Sequence, residues 1–272
     1  MPDRAPFVPQ TSAAAQPEGH RSAVLETRDL WVWHGSQALL REVTVPFAAG
    51  AVTCVTGPSG AGKSTLLRAL NRLLDLDPGL RVEGQVLLEG EPVYAPGVDV
   101  DRLRTRVGML FQQPVVFPGS IRDNVLFAVR RLRSIARRHR DERVHQVLAE
   151  VGLWEEVRDR LAQPAASLSV GQQQRLCLAR SLILEPRVLL LDEPTSALDA
   201  GSREAIEALI LRRRGRQSFV VVTHDLAQAR RLADEALCVA LREGSGVVQP
   251  CSGTHPELDD PACRTPLSGG RP

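Results

Sequence analysis

An α/β fold on a mostly parallel sheet is predicted by three short β-strand runs and the helical stripes between them. Val52 to Thr56 is rich in β-branched residues and stops at Gly57, Val188 to Leu191 stops at Asp192, and Phe219 to Val222 runs out just before His224. Short runs without alternation are what strands buried on both faces carry, and such strands belong to parallel sheets covered by helices. Leu66, Leu67 and Leu70 after the first run, and residues 205, 206, 209 and 210 before the third, keep helical spacing. The turns that end the strands should therefore lie together at the carboxyl edge of the sheet, where open α/β folds bind ligands.

Composition narrows the class. At 272 residues, 43% apolar and 24% charged, the chain suits one domain carrying a subdomain around a sizeable core. No apolar run approaches the roughly eighteen residues of a membrane span. Residues 1–23, rich in Pro, Ala and Ser and without an apolar h-region, read as a disordered extension rather than a secretory signal. A net charge of +2 argues against nucleic acid as a partner. Cys54, Cys177 and Cys238 sit in apolar segments and read as buried thiols of a cytosolic protein. Cys251, His255 and Cys263 lack a zinc spacing. Arginine supplies nearly all the positive charge, and Lys63 is the single lysine.

Its surroundings explain that lysine. Gly57, Pro58, Ser59, Gly60, Ala61, Gly62, Lys63, Ser64 and Thr65 form G-x-x-x-x-G-K-S-T between a strand and a helix, the Walker A pattern in its required context. The glycines let backbone N–H groups converge on phosphate oxygens, and the helix N-terminus adds partial positive charge. Lys63 would reach the β- and γ-phosphates and the Ser64 hydroxyl would ligate Mg²⁺, which points to a nucleoside triphosphate. Asp192, at the end of a buried strand, suits the matching Walker B role of holding the metal. Glu193, one residue on, is placed to polarise an attacking water. One βαβ crossover carries His224 to the same edge, on the γ-phosphate side.

These pieces together resemble the ATP-binding-cassette ATPases. "VLLLDEP" is similar to that family's Walker B with Glu193 as catalytic base, "SALD" to its D-loop with Asp199, "VVTH" to its switch histidine, and "GMLFQQP" to its Q-loop with Gln112, a residue of the catalytic and Mg²⁺ site. "LSVGQQQR", residues 168 to 175, resembles the family signature, with Ser169, Val170, Gly171 and Gln172 facing the ATP of a second subunit. The resemblance implies two ATP sites shared across a head-to-tail dimer. A helix N-terminus with free N–H groups is an anion site, and Gly171, lacking Cβ, would let the backbone approach the γ-phosphate. Val170 departs from the family's glycine; as the first residue after an N-cap it needs only helical angles. The family's adenine-stacking tyrosine is also missing: His34 stands at that place with Trp33 beside it, and Tyr94, the only tyrosine, is too far along the chain.

The fold implied is a P-loop NTPase core with a mostly parallel sheet, an N-terminal antiparallel β portion and an inserted α-helical subdomain. The expected division is an ATPase domain over 24–250, with core 24–112 and 180–250, helical subdomain 113–179, and a tail over 251–272. The arginine-dense stretch 130–143 reads as a solvated face or as a surface for anionic lipid or acidic loops. The resemblance further implies separate membrane permease subunits, with a solute-binding protein engaged indirectly, and a peripheral place on the cytoplasmic face of the cell membrane. "FPGSIRDNVLFAVR" and "QQQRLCLAR" look most like the ATPase subunit of bacterial phosphate importers. Importers of amino acids or other oxyanions share the same engine. A non-transport cassette acting on ribosomes or DNA would carry two fused cassettes or a long coiled-coil insertion, and neither is present.

Overall fold

The structure is a computed structural model and describes residues 22–132 and 135–250. The expected extension, apart from Ser22 and Ala23, and the tail from 251 with Cys251, His255 and Cys263 lie outside the described residues. Ten strands form one sheet in the order β5-β4-β1-β2-β10-β9-β3-β8-β7-β6. Strands β9 (Glu235–Arg242), β3 (Val52–Thr56), β8 (Ser218–Val222), β7 (Val188–Asp192) and β6 (Val107–Leu110) are mutually parallel. On the other side β5 (Glu91–Pro92), β4 (Leu80–Leu88), β1 (Ala23–His34) and β2 (Gln37–Ala48) pair antiparallel. The β10 strand (Ser245–Pro250) joins the two blocks, antiparallel to β9 and bridged to β2 at Gly246 and Leu40. The predicted α/β architecture with an antiparallel β portion is therefore present.

Period-2 alternation sends successive side chains of each central strand into two different cores. Leu189 and Leu191 of β7, with Phe219 and Val221 of β8, enter the cluster built with the helices α3 (Ile121–Leu132), α4 (Arg140–Glu150) and α6 (Val170–Leu182). Val188, Leu190, Val220 and Val222 enter the opposite cluster with the helix α1 (Lys63–Leu70) and the antiparallel strands. Leu66, Leu67 and Leu70 are fully buried there, as the helical spacing requires; burial of each is worth about 1.5–3 kcal/mol. Cys54, Cys177 and Cys238 are buried, as expected, and burial pushes the Cys54 thiol up to about 12.

Between β6 and β7 lie α3, α4, the single turn α5 (Trp154–Val157) and α6. The α6 helix runs through the expected boundary at 179, so core and insert share it. Acids elsewhere in the chain answer part of the basic stretch: Arg130 pairs with Asp123 at 2.6 Å, Arg143 with Glu185 at 2.6 Å, and Arg131 with Asp101 at 3.3 Å.

Register gathers the strand ends. Asp192 stands opposite Val222, Val222 opposite Val55, and Leu110 opposite Leu191. The loop after β3, Glu193 after β7, His224 after β8 and Gln112 after β6 consequently leave the sheet side by side.

Candidate active site

The loop from Gly57 to Gly62 closes around its own lysine. Gly57, Gly60 and Gly62 all have positive φ. A Cβ on Gly57 would lie 2.3 Å from the Val239 carbonyl oxygen, which excludes a side chain there, and the φ of 97° at Gly62, with Leu40 Cδ2 packed against it, favours glycine there too. Gly62 caps α1, whose first N–H groups, at Lys63, Ser64 and Thr65, have no intrahelical acceptor. Lys63 Nζ donates to the carbonyl oxygens of Gly57 at 2.9 Å and Pro58 at 2.8 Å. Burial holds this ammonium below its usual pKa against the pull of Glu193 and Asp192, so an arriving phosphate offers the charge the loop carbonyls lack.

Ser64 donates its hydroxyl to Asp192 Oδ1 at 3.0 Å. Asp192 is 4% exposed, and burial raises its pKa against the opposing hydrogen bond from Ser64. A hydroxyl beside a buried carboxylate is the oxygen donor set a hard divalent cation takes, and the cation's charge would offset that desolvation. Among the described residues no three His, Cys, Asp or Glu side chains cluster as ligands.

Glu193 is the point where the remaining residues meet. Its backbone is left-handed, with φ 44°, and its N–H donates to the Val222 carbonyl at 3.0 Å. Gln112 Nε2 donates to Glu193 Oε2 at 3.0 Å, and His224 Nδ1 lies 3.2 Å from the same oxygen. The three candidate catalytic residues are thus brought together, with Gln112 found on Glu193 rather than on the expected metal ligands.

The two rings proposed for the base part company. Trp33 stacks on Trp31 with centroids 5.4 Å apart and planes 4° from parallel; Arg81 lies over it, and its Nε1 donates to Glu83. Val32 pairs with Leu40, the residue that packs on Gly62, and alternation places His34 on that same face of β1. His34 therefore shares the face of the phosphate loop, and Trp33 the opposite one. Tyr94 is elsewhere, donating its hydroxyl to the Ala69 carbonyl at 2.9 Å near the end of α1.

At the signature stretch α6 begins with a capping box: Ser169 Oγ accepts from Gln172 N–H, and Gln172 Oε1 accepts from Ser169 N–H. Val170 is the first helical residue, without positive φ and 53% exposed, as expected from its place after the cap. Gly171 also has close neighbours inside its own chain. A Cβ there would lie 2.6 Å from Ser202 Oγ and 3.0 Å from Asp199 Oδ2, at the start of α7 (Ala200–Arg213). The glycine serves a close approach inside its own chain, which spacing along the sequence could not reveal. Asp199 N-caps α7, accepting from Ser202 N–H at 2.9 Å, and that contact holds its carboxyl below the usual range. Sequence reasoning also missed Gln174, whose Nε2 donates to the Phe111 carbonyl at 2.9 Å.

Comparison with known proteins agrees with this geometry. The family model described as ABC transporter matches residues 40–196. The structure of CbiO1 from Clostridium perfringens, described as part of the ABC transporter complex CbiONQ, is 26% identical with a TM-score of 0.71; the match covers 88% of this chain and 91% of that one. A bacterial Atm1-family ABC exporter with ATP bound shares the fold at 24% identity and a TM-score of 0.68; the match covers 87% of this chain and 41% of the exporter. With the family model matched over more than half its length, from the second strand of the antiparallel block through the carboxylates of β7, the chain belongs to the ABC transporter family, as an ATPase domain that binds and hydrolyses ATP.

Proposed function

We propose that the chain is the ATP-hydrolysing subunit of a membrane importer, working as a head-to-tail dimer on the cytoplasmic face of the cell membrane and taking up inorganic phosphate. The observation that carries the catalytic part is the convergence of Gln112 and His224 on Glu193 Oε2 beside Ser64 and Asp192. In this reading Lys63 and the loop N–H groups hold the phosphates. Ser64 and Asp192, with Gln112 nearby, would hold Mg²⁺, which when bound would supply charge neutralisation to the phosphates. The Glu193 carboxylate takes the proton of the attacking water, whose oxygen bonds to the γ-phosphorus as the bond to the ADP oxygen breaks. His224 and Gln112 orient that carboxylate and the γ-phosphate. Ser169, Val170, Gly171, Gln172 and Asp199 face the partner's nucleotide, and the domain division is the one read from the sequence, with its helical subdomain over 113–179.

No helix among the described residues is long and apolar enough to cross a membrane, and this reading assigns the membrane path to separate permease subunits. The neighbour described as part of a transporter complex supports such an assembly. Phe111, just before Gln112, and Val115 and Phe127, after it, are exposed, and the Phe127 ring lies 4.3 Å from that of Phe117; these are apolar side chains that a partner could cover. The choice of phosphate rests on the sequence after Gln112, because the ATPase itself does not contact the solute. Reconstitution with its permease and binding protein in ATP-loaded liposomes is expected to show uptake and ATPase stimulation by phosphate, and none by sulfate, molybdate or amino acids. Stimulation by another solute would reject phosphate and leave the transport reading in place; co-sedimentation with ribosomes and no permease association would reject transport.

For the adenine, the shared face with Gly62 favours His34 over Trp33. Stacking on one base is worth about 1–3 kcal/mol, so His34→Ala should weaken ATP binding by roughly 5- to 150-fold. Trp33→Ala should leave it unchanged. Titration calorimetry with ATP measures both, and the opposite ranking would exchange the two assignments.

A further inference from the structure

We propose that Gln174 is a positioning residue for hydrolysis, holding the Phe111–Gln112 peptide so that the Gln112 amide reaches Glu193. This rests on the reading of Gln112 and Glu193 given above. The three glutamines of α6 do different work. Gln172 completes the capping box and donates to Glu156 at 2.7 Å, and Gln173 donates to the Leu168 carbonyl at the start of its own helix. Gln174 alone of the three is fully buried, 1% exposed, and it reaches across 63 residues to the Phe111 carbonyl.

A buried amide is costly where an apolar side chain would pack, and the hydrogen bond it makes offsets part of that cost. Its Oε1 has no partner, so the donor half of the amide is the half in use. The acceptor is well placed to matter. Phe111 lies one residue past the last paired residue of β6, and the next residue, Gln112, donates to Glu193 at 3.0 Å. Two further carbonyls of the same segment are taken by α6: Ser181 Oγ donates to Met109 at 3.4 Å and Arg180 Nη2 to Val115 at 2.8 Å. Helix and segment are joined at three carbonyls, the Val115 carbonyl also accepting from Cys177 Sγ at 3.4 Å, and of these only the Gln174 contact adjoins Gln112. A shift of the Ser169–Gly171 turn is therefore delivered through α6 and one hydrogen bond to the residue that touches Glu193.

Gln174→Met keeps length and apolar packing but removes the donor. Its kcat for ATP should fall on the order of tenfold with KM unchanged. Because both residues act through one contact, Gln174→Met should cost nothing further in a Gln112→Ala background. Gln174→Glu keeps the shape and can donate to Phe111 only while its carboxyl is protonated, so its kcat relative to wild type should recover as pH falls. Wild-type kcat in Gln174→Met, losses that multiply with those of Gln112→Ala, or a lowered unfolding temperature with full kcat would each overturn the proposal. Should Gln174→Met not fold, the Gln174→Glu profile decides, and a ratio independent of pH overturns it. If Gln112→Ala is slow and Gln174→Met is not, only this proposal fails; if Gln112→Ala keeps wild-type kcat, the assignment of Gln112 fails with it.

Discussion

Glu193→Gln is expected to bind ATP as the wild type does and to hydrolyse it about 10²–10⁴ times more slowly. The substitution removes the proton acceptor and changes almost nothing else. The amide keeps an oxygen for Gln112 Nε2, and the Ser64–Asp192 contact and the Lys63 loop are untouched. Since the ATP-bound dimer would no longer be discharged, gel filtration with ATP and Mg²⁺ should show the variant as a dimer. Asp192→Asn should differ, losing the metal site and with it tight Mg-ATP binding. Wild-type turnover in Glu193→Gln would remove Glu193 from the base role.

The central strands were legible because strands buried on both faces leave a run that no helix or half-exposed strand shares, and the structure finds β3, β7 and β8 on those runs. The phosphate loop was legible because its glycines answer local backbone demands, visible at Gly57 and Gly62. Even the meeting of Gln112 with Glu193 follows from register, each lying two residues beyond the paired Leu110 and Leu191. What stayed hidden depends on contacts that sequence spacing does not encode. The choice between His34 and Trp33 turns on which face of β1 each occupies, in a strand whose pairing with β2 shifts register between Val32 and Trp33. Gln174 looks like its two neighbours until the fold brings Phe111 to it. Gly171 was read for a ligand, and its additional approach to the start of a neighbouring helix could not be read from spacing.

That last difference makes Gly171 the most informative position in the signature. Gly171→Asp should reduce hydrolysis on the order of 10²-fold or more, by placing bulk and negative charge both against Asp199 and where the partner's γ-phosphate would approach. Gly171→Ala separates the two causes. Its Cβ would sit 2.6 Å from Ser202 Oγ, and such overpacking costs about 1–3 kcal/mol, read as a lowered unfolding temperature. Ser202→Gly removes both Ser202 atoms that the new Cβ meets while keeping the N–H that Asp199 accepts, so the double variant Gly171→Ala/Ser202→Gly should regain part of the lost stability. If Gly171 serves only the packing of α6 on α7, hydrolysis returns with the fold. If it also admits the partner's phosphate, the double variant is stable and still slow, and that is the outcome expected. Val170→Gly, altering an exposed first-turn residue, should leave hydrolysis unchanged. A crippled Val170→Gly would overturn the placement of Val170 in an undemanding first turn, and a double variant that is both stable and fast would remove Gly171 from the partner's nucleotide.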